Sequence, residues 1–433
     1  MRKISGFVMM AALVFLPSFA HAQARPAAKP LTIYYIDTEG GQSTLFVSPT
    51  GETLMVDAGN PGGRDADRIQ LAMADAGVTQ IDHMVLTHYH VDHIGGLQEL
   101  ASRVPIKHFY DHGPTSEPNA QVQFFKEVYP ALYAKAQHTV AKPGDKIPIA
   151  GLDVTVVSSN GEVLKTNLPG AGKPNPECAN FKEKDLSAVF DPDNAMSVGF
   201  LLTYGRFKTV DLGDLTWNHE GKLMCPNNKL GTIDLYLVTH HGINQSSSPA
   251  MVHGLQPRVA IMNNGTRKGG AVETFQTLET SPGLEDLWQL HWSYNVMLEH
   301  NAPGVFIANI DDMPTIAGVL TAPPPAPRGA GAGPARGGAV APAVIAPGGQ
   351  GQPPVGAPPA GAPAAGAPAP GAGGGGRGAG GGGPAGAGGG GRGAGNAAAA
   401  HVPAYWIKVT AQADGTFTVT NARNGFSKTY RPK

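Results

Sequence analysis

The chain has 433 residues, only 15% of them charged, and a formal net charge of −1. A leader carrying Arg2 and Lys3 would take two cations with it and leave −3, a balance with no broad attraction for nucleic acid or an anionic membrane, though a local basic strip is compatible with it. Glycine and proline are concentrated in one tract, residues 322–400, which holds 28 of the 59 glycines and 15 of the 38 prolines, so the folded part is shorter than the length suggests, yet ample for a core without staples.

Residues 1–24 read as a secretory signal. Arg2-Lys3 start it, Phe7 to Phe19 is apolar apart from Pro17 and Ser18, and Ala20-His21-Ala22 and Ala22-Gln23-Ala24 are both small-x-small cleavage sites. The apolar run is short for a membrane span. A periplasmic or secreted mature chain is expected, and there a pairing of Cys178 with Cys225 is permitted. Leu31 to Ile36, Ser43 to Val47 and Thr53 to Val56 read as strands separated by Gly40-Gly41 and Ser48-Pro49-Thr50-Gly51, with Asp57 at the end of the third. Asp65 to Ala76 has helical spacing and stops at Gly77; Ile81 to Leu86 is a buried strand.

That strand runs into Thr87-His88-Tyr89-His90-Val91-Asp92-His93-Ile94-Gly95-Gly96. In extended backbone His88 and His90 point to one side, while Asp92 and His93 fall where the chain turns into a helix and face back toward them. Imidazole and carboxylate together suit zinc, iron or manganese, and two ligand pairs this close suit two adjacent divalent ions. The alternative, a surface histidine cluster, fits poorly with a tract that follows a strand and precedes Gly-Gly.

The His-x-His-x-Asp-His signature after a strand resembles the metallo-β-lactamase superfamily of dinuclear metallohydrolases. The resemblance implies that Asp57 supports the metal loop from behind. Tyr35-Ile36-Asp37 through Gly41-Gln42-Ser43-Thr44-Leu45 is similar to the opening of the nuclease-like domain of ComEC competence proteins. Asn194-Ala195-Met196-Ser197 looks like that family's Asn-x-x-Ser strand, and His240-His241-Gly242 with Ser246-Ser247-Ser248 like its His-His-Gly and Ser-Ser-Ser turn. Read from the residues alone, the serines before Pro249 are a helix cap. Where that family carries His-Pro after its next strand, this chain has Lys268-Gly269-Gly270.

Beyond the motif, Leu97 to Val104 reads as a helix, Ile106 to Tyr110 as a strand, Val122 to Ala136 as an amphipathic helix, and Ile147 to Ile149 with Leu152 to Val157 as a hairpin. Gly161 to Asp193 is a polar, proline-rich stretch, either a lid or a surface excursion. Strands follow at Val198 to Thr203, Phe207 to Leu212, Ile233 to Val238 and Arg258 to Met262, with helices near Trp217 to Met224 and Pro249 to Gly254. The expected fold is α+β, an αββα four-layer sandwich over residues 25–321. Residues 322–400, almost pure Ala, Gly and Pro, cannot bury a core and are expected to be a disordered insertion. Residues 401–433 read as a hairpin, Tyr405 to Thr410 and Thr416 to Thr420 around Asp414-Gly415, docking on the main sheet because two strands alone are marginal.

A two-metal centre needs a bridging carboxylate. Asp214 is preferred to Asp211 because it falls just beyond Gly213, where the chain can turn inward, and it resembles the superfamily's bridging aspartate. The resemblance puts one ligand histidine at the end of the strand Ile233 to Val238; His240 is chosen, leaving His241 to touch substrate or support the site. A remaining histidine is sought among His108, His112 and His138, with His112 best placed. The expected arrangement is His88 and His90 on one ion, Asp92, His93 and His240 on the other, and Asp214 between, with Asp92, Asp214 and His241 as catalytic candidates. The implied activity is hydrolysis of a phosphodiester or related ester on a small molecule or nucleic acid. Lactone or β-lactam hydrolysis, and a non-catalytic metal-binding surface protein, are the alternatives.

Overall fold

The computed structural model describes residues 29–115, 124–187, 192–310 and 405–432; the expected leader at 1–24 and the tract at 322–400 lie outside them. The chain first makes an antiparallel meander of β1 (Leu31–Ile36), β2 (Thr44–Val47) and β3 (Thr53–Val56). After α1 (Arg64–Ala76) it turns parallel. β4 (His83–Val85) leads into α2 (Val91–Ile94) and α3 (Leu97–Arg103), then β5 (His108–Asp111), α4 (Tyr129–Tyr133) and β6 (Gln137–Val140).

A second sheet begins with β7 (Lys146–Ile147), β8 (Asp153–Ser159), β9 (Glu162–Val163), β10 (Gly199–Tyr204) and β11 (Phe207–Asp211), all antiparallel. It continues in parallel through α5 (Trp217–Met224), β12 (Leu235–Leu237), α6 (Pro249–Leu255), β13 (Val259–Met262), α7 (Val272–Glu279), β14 (Asp286–His291), α8 (Met297–His300) and β15 (Ile307–Asn309). Finally β16 (Trp406–Ala411), β17 (Phe417–Asn421) and β18 (Ser427–Tyr430) return to the first sheet, where β16 lies antiparallel to β1 from Leu31 opposite Ala411 to Ile36 opposite Trp406.

Strand alternation builds the layers. On β1 to β3, Ile33, Tyr35, Phe46, Leu54 and Val56 face the core between the sheets, where they meet Phe200, Leu202, Leu235 and Trp288. Their neighbours Ile36, Leu45 and Met55 face outward onto Ile69 of α1 and Leu97 and Leu100 of α3. On the second sheet Leu201, Val210 and Tyr236 face outward onto Leu223, Met251, Leu255 and Phe275 of α5, α6 and α7. Helix, sheet, sheet and helix therefore stack in four layers, each fully buried large side chain contributing roughly 1.5–3 kcal/mol.

The structure departs from the sequence reading in one helix and in the strands it adds, and it shows what anchors the stretch from Gly161. The amphipathic helix expected over 122–136 shrinks to a wide turn at Phe124–Val128 and the short α4. Pro130 lies in the first turn of α4, where its missing N–H leaves no bond unmade, so a new helix starts there rather than an old one continuing. The strands β14 and β15, beyond the last one read from the sequence, extend the second sheet, and β18 adds a third strand to the terminal pair. The stretch from Gly161 is fastened along α5, by the Cys178–Cys225 disulfide, by Asn218 bonding both Lys184 N and O at 2.9 and 3.0 Å, and by Trp217 Nε1 donating to Lys182 O at 3.0 Å.

Candidate metal centre

The residues that follow β3, β4, β11 and β12 converge on one point. At the end of β3 the backbone of Asp57 takes a left-handed turn, φ 56°, that aims its carboxylate under the histidine loop. Thr87 N and Thr87 Oγ1 donate to it at 2.8 and 2.6 Å, and His93 Nδ1 lies 2.7 Å away. The Asp57 carboxylate orients that ring, so that Nε2 of His93 faces Asp92, Asp214 and His241. Burial pushes the Asp57 pKa up in spite of these donors.

His88 and His90 follow on extended backbone, their ring nitrogens 2.9 Å apart. His90 then caps α2, whose first turn carries Asp92 and His93. Asp214 arrives from beyond β11 through Gly213, φ 55°, where a Cβ would sit 2.6 Å from Thr87 Cβ; only glycine lets the two loops close. Its amide donates to Ser197 Oγ at 3.2 Å. Beyond β12, His240 and His241 are both left-handed, φ 57° and 53°, a strained pair held by His240 N on Gly213 O at 3.1 Å and Gly270 N on His241 O at 2.9 Å.

Two groups of ligand atoms result, each mutually within 4.8 Å: Asp92, His93, Asp214 and His241, and His88, His90 and Asp214. Asp214 belongs to both. Its Oδ2 lies 3.3 Å from Nε2 of His93, His240 and His241, and 3.8 Å from that of His88. Asp92 Oδ2 lies 3.4 Å from His93 Nε2 and 3.3 Å from His241 Nε2.

These residues fit a pair of cations. Nε2 of His93 and of His241 face each other at 3.2 Å, and Asp214 Oδ1 is buried without a hydrogen-bond partner among the described residues. Ring nitrogens and carboxylate oxygens gathered this closely, with one carboxylate oxygen buried and unpartnered among the described residues, match the donor set of a metal site. The field agrees. Burial works against charge on His93, but the carboxylates of Asp214, Asp92 and Asp57 outweigh it and hold its pKa well above the ordinary value. Burial likewise opposes charge on Asp214, and His240, His241 and His93 outweigh it and hold that carboxyl well below the usual range.

Residues 37–172 match the family model of the metallo-beta-lactamase superfamily. The fold is the metallo-β-lactamase fold. Among curated proteins the chain is 33% identical over 109 residues to the lactamase-like protein notP of Aspergillus sp., a match covering 24% of this chain and 33% of that protein. It is 31% identical over 122 residues to ribonuclease Z of Methanopyrus kandleri, covering 27% and 38%. The chain thus spans little more than a third of the length of the curated relatives it matches. Among solved structures, the metallo-beta-lactamase fold protein YhfI of Bacillus subtilis aligns with a TM-score of 0.37 at 13% identity, over 60% of this chain and 96% of that one.

On this metallo-β-lactamase fold the geometry gathers His88, His90, Asp92, His93 and Asp214, and it changes the assignment of two histidines. His241, not His240, joins Asp92 and His93. Two successive left-handed residues undo the side-to-side alternation of a strand, so the ring expected to serve as support swings into the ligand group. His240 stays beside Asp214, with Nδ1 3.3 Å from Ser246 Oγ. His112 does not complete the three-residue group. It is buried with Nε2 3.4 Å from Asp193 Oδ2 and its ring 4.1 Å from that of Tyr89. His108 bonds Thr139 and His138 bonds Asp111, at 2.8 and 2.7 Å. Asp211 accepts from Gln42 Nε2 at 2.8 Å instead of joining the ligands.

Sequence reasoning missed Thr87 and Asp193, which receives Tyr89 N at 2.7 Å and so steadies the loop between His88 and His90. Neither carries a local pattern that would have marked it. Lys268, whose ammonium contacts Asp92, was visible only as a departure from a family pattern.

Proposed function

We propose that this chain is an exported metal-dependent hydrolase that cleaves a phosphodiester or a related ester. The observation that carries the reading is the convergence of two ligand groups on the single carboxylate of Asp214. His88, His90 and Asp214 would hold one divalent cation, and Asp92, His93, His241 and Asp214 a second, with zinc favoured by the donors and manganese or iron compatible with them. Cations held there supply Lewis acidity and make water acidic near neutral pH. Asp57 and Thr87 keep the His93 ring fixed. Asp92 is the more exposed of the two ligand carboxylates, 15% against 4% for Asp214. Burial opposes its charge, but His93, His241 and Lys268 outweigh it and hold the carboxyl well below the usual range, so it is placed to accept a proton from water.

The ComEC-like reading draws support from where its motif residues fall. Ser197 receives the Asp214 amide, Ser246 lies against His240, and Asn194 Nδ2 lies 3.5 Å from His240 Nε2. A ribonuclease Z and a hydroxyacylglutathione hydrolase among the matched proteins agree with ester or phosphodiester chemistry. The disulfide supports export to an oxidising compartment.

The test is zinc-loaded protein on bis-p-nitrophenyl phosphate, single-stranded DNA and nitrocefin, with and without chelator. Phosphodiester cleavage that chelator abolishes and that His90→Ala lowers by roughly a hundredfold or more is the expected result. Cleavage of nitrocefin alone would move the substrate to lactams. Unchanged activity in His90→Ala would end the catalytic assignment.

A further inference from the structure

The turn from Gly265 to Gly270 lies at the mouth of the centre and is fixed on several sides. Gly265 N donates to Lys268 O at 2.9 Å, Tyr294 N to Thr266 O at 2.9 Å, and Gly270 N to His241 O at 2.9 Å. Asn295 Nδ2 donates to Gly269 O at 2.8 Å. Across the gap stands Gly40, φ 94°, where a Cβ would come within 3.0 Å of Lys268 Cβ. A side chain at position 40 would push the turn away from the centre.

Two other cations of this region are committed elsewhere. The guanidinium of Arg267 lies 5.2 Å from the centroid of the Tyr294 ring. Lys184 donates to Asn244 O at 2.5 Å and lies 3.6 Å from the Trp217 ring centroid. Lys268 instead extends toward the centre, and its ammonium has Asp92 Oδ2 as its one partner among the described residues. Asp92 also belongs to the four-residue ligand group. A cation seated in that group competes for the same oxygen and repels the ammonium across a short distance. The lysine side chain is 42% exposed and its backbone is pinned, so the charge stays at the mouth facing incoming substrate. A compact ammonium with three donors binds an anionic phosphate or carboxylate oxygen more strongly than the neutral carbonyl of an acyl group.

We propose that Lys268 is a specificity residue whose ammonium binds an anionic oxygen of the substrate beside the metal centre, so that the site favours negatively charged esters over neutral ones. This rests on the reading of the site as a hydrolytic metal centre. It assigns the substrate's charge to a side chain rather than to the ions alone.

The experiment compares the full chain with Lys268→Met and Lys268→Arg, all zinc-loaded. Calorimetric titration with inorganic phosphate reads binding without turnover. Kinetics on bis-p-nitrophenyl phosphate and p-nitrophenyl acetate read charge preference, and metal analysis reads zinc content. Lys268→Met should weaken phosphate binding about tenfold, raise KM for the diester more than it lowers kcat, and cut the ratio of kcat/KM for the anionic over the neutral ester about tenfold. Lys268→Arg should recover most of each, at full zinc content. Phosphate binding as tight as in the parent, equal losses on both esters, or loss of zinc from Lys268→Met would each overturn the proposal, the last because Lys268 would then serve only to place Asp92. If the parent cleaves neither ester, the proposed hydrolase fails, and the phosphate titration still decides Lys268.

Discussion

The ligands come from two regions built in different ways. His88, His90, Asp92 and His93 lie on one loop, placed by an extended segment and a single helical turn. Asp214 and His241 come from the ends of β11 and β12 in the other sheet, placed by left-handed turns at Gly213 and at His240–His241. The first set is local geometry that any strand-to-helix passage reproduces. The second depends on backbone conformations that the surroundings impose. A centre built this way takes its ligand types from one half and its shared carboxylate from the other, so the remote half decides whether there are two sites or two fragments.

Removing the shared carboxylate should break this relation most severely. Asp214→Ala is expected to lower zinc content from two equivalents to one or none and to reduce the proposed phosphodiester cleavage by roughly a thousandfold; retention of both equivalents would show that the halves bind metal independently. A smaller contrast separates the adjacent histidines. His241→Ala should lose one zinc equivalent and about a hundredfold in activity, whereas His240→Ala keeps both ions and loses about tenfold or less. Equal losses would mean that the left-handed pair does not select between the two rings.

The smallest effect concerns what supports the remote half. Glu220 is fully buried, with Ser247 N and Ser248 N donating to its two oxygens at 2.8 and 2.7 Å, and burial pushes its pKa from 4.5 up to about 7. A raised acid holds its proton more tightly when folded. Its contribution to stability is therefore complete below pH 4.5, declines as pH rises toward 7, and changes no further above that. Asp211, pushed to about 7 by burial, adds a decline of the same sign. Glu220→Gln should remove ~3 kcal/mol of this pH-dependent loss, read as a flatter unfolding midpoint between pH 4.5 and 7 with metal chelated throughout. A profile as steep as the parent's would show that Glu220 is ionised in the folded chain.

The same division explains what could be read from the sequence. The loop histidines were legible because alternation and helical spacing are short-range rules, and the layered fold because apolar residues on β1, β2, β10 and β12 alternate between two cores. The choice between His240 and His241 was not legible, since no short-range rule puts two consecutive histidines in the left-handed region. His112 was misplaced for a related reason. A residue just past a strand end can face either side, and the neighbour that His112 lies against, Asp193, is far along the chain. The strands β14 and β15 were passed over because their pattern is weak. Asp286 and Leu287 are only half-buried, and Gln289, His291 and Asn309 are buried polar residues.

The antiparallel seam between β1 and β16 joins residues 31–36 to residues 406–411. During synthesis β1 emerges long before β16, with a row of backbone donors and acceptors along one margin, and no native partner exists for that margin until residues 406–411 have been made. Until then the margin is open to pairing with a neighbouring nascent chain. A truncation that removes residues 406–411 should therefore yield aggregates rather than a soluble, weakened enzyme.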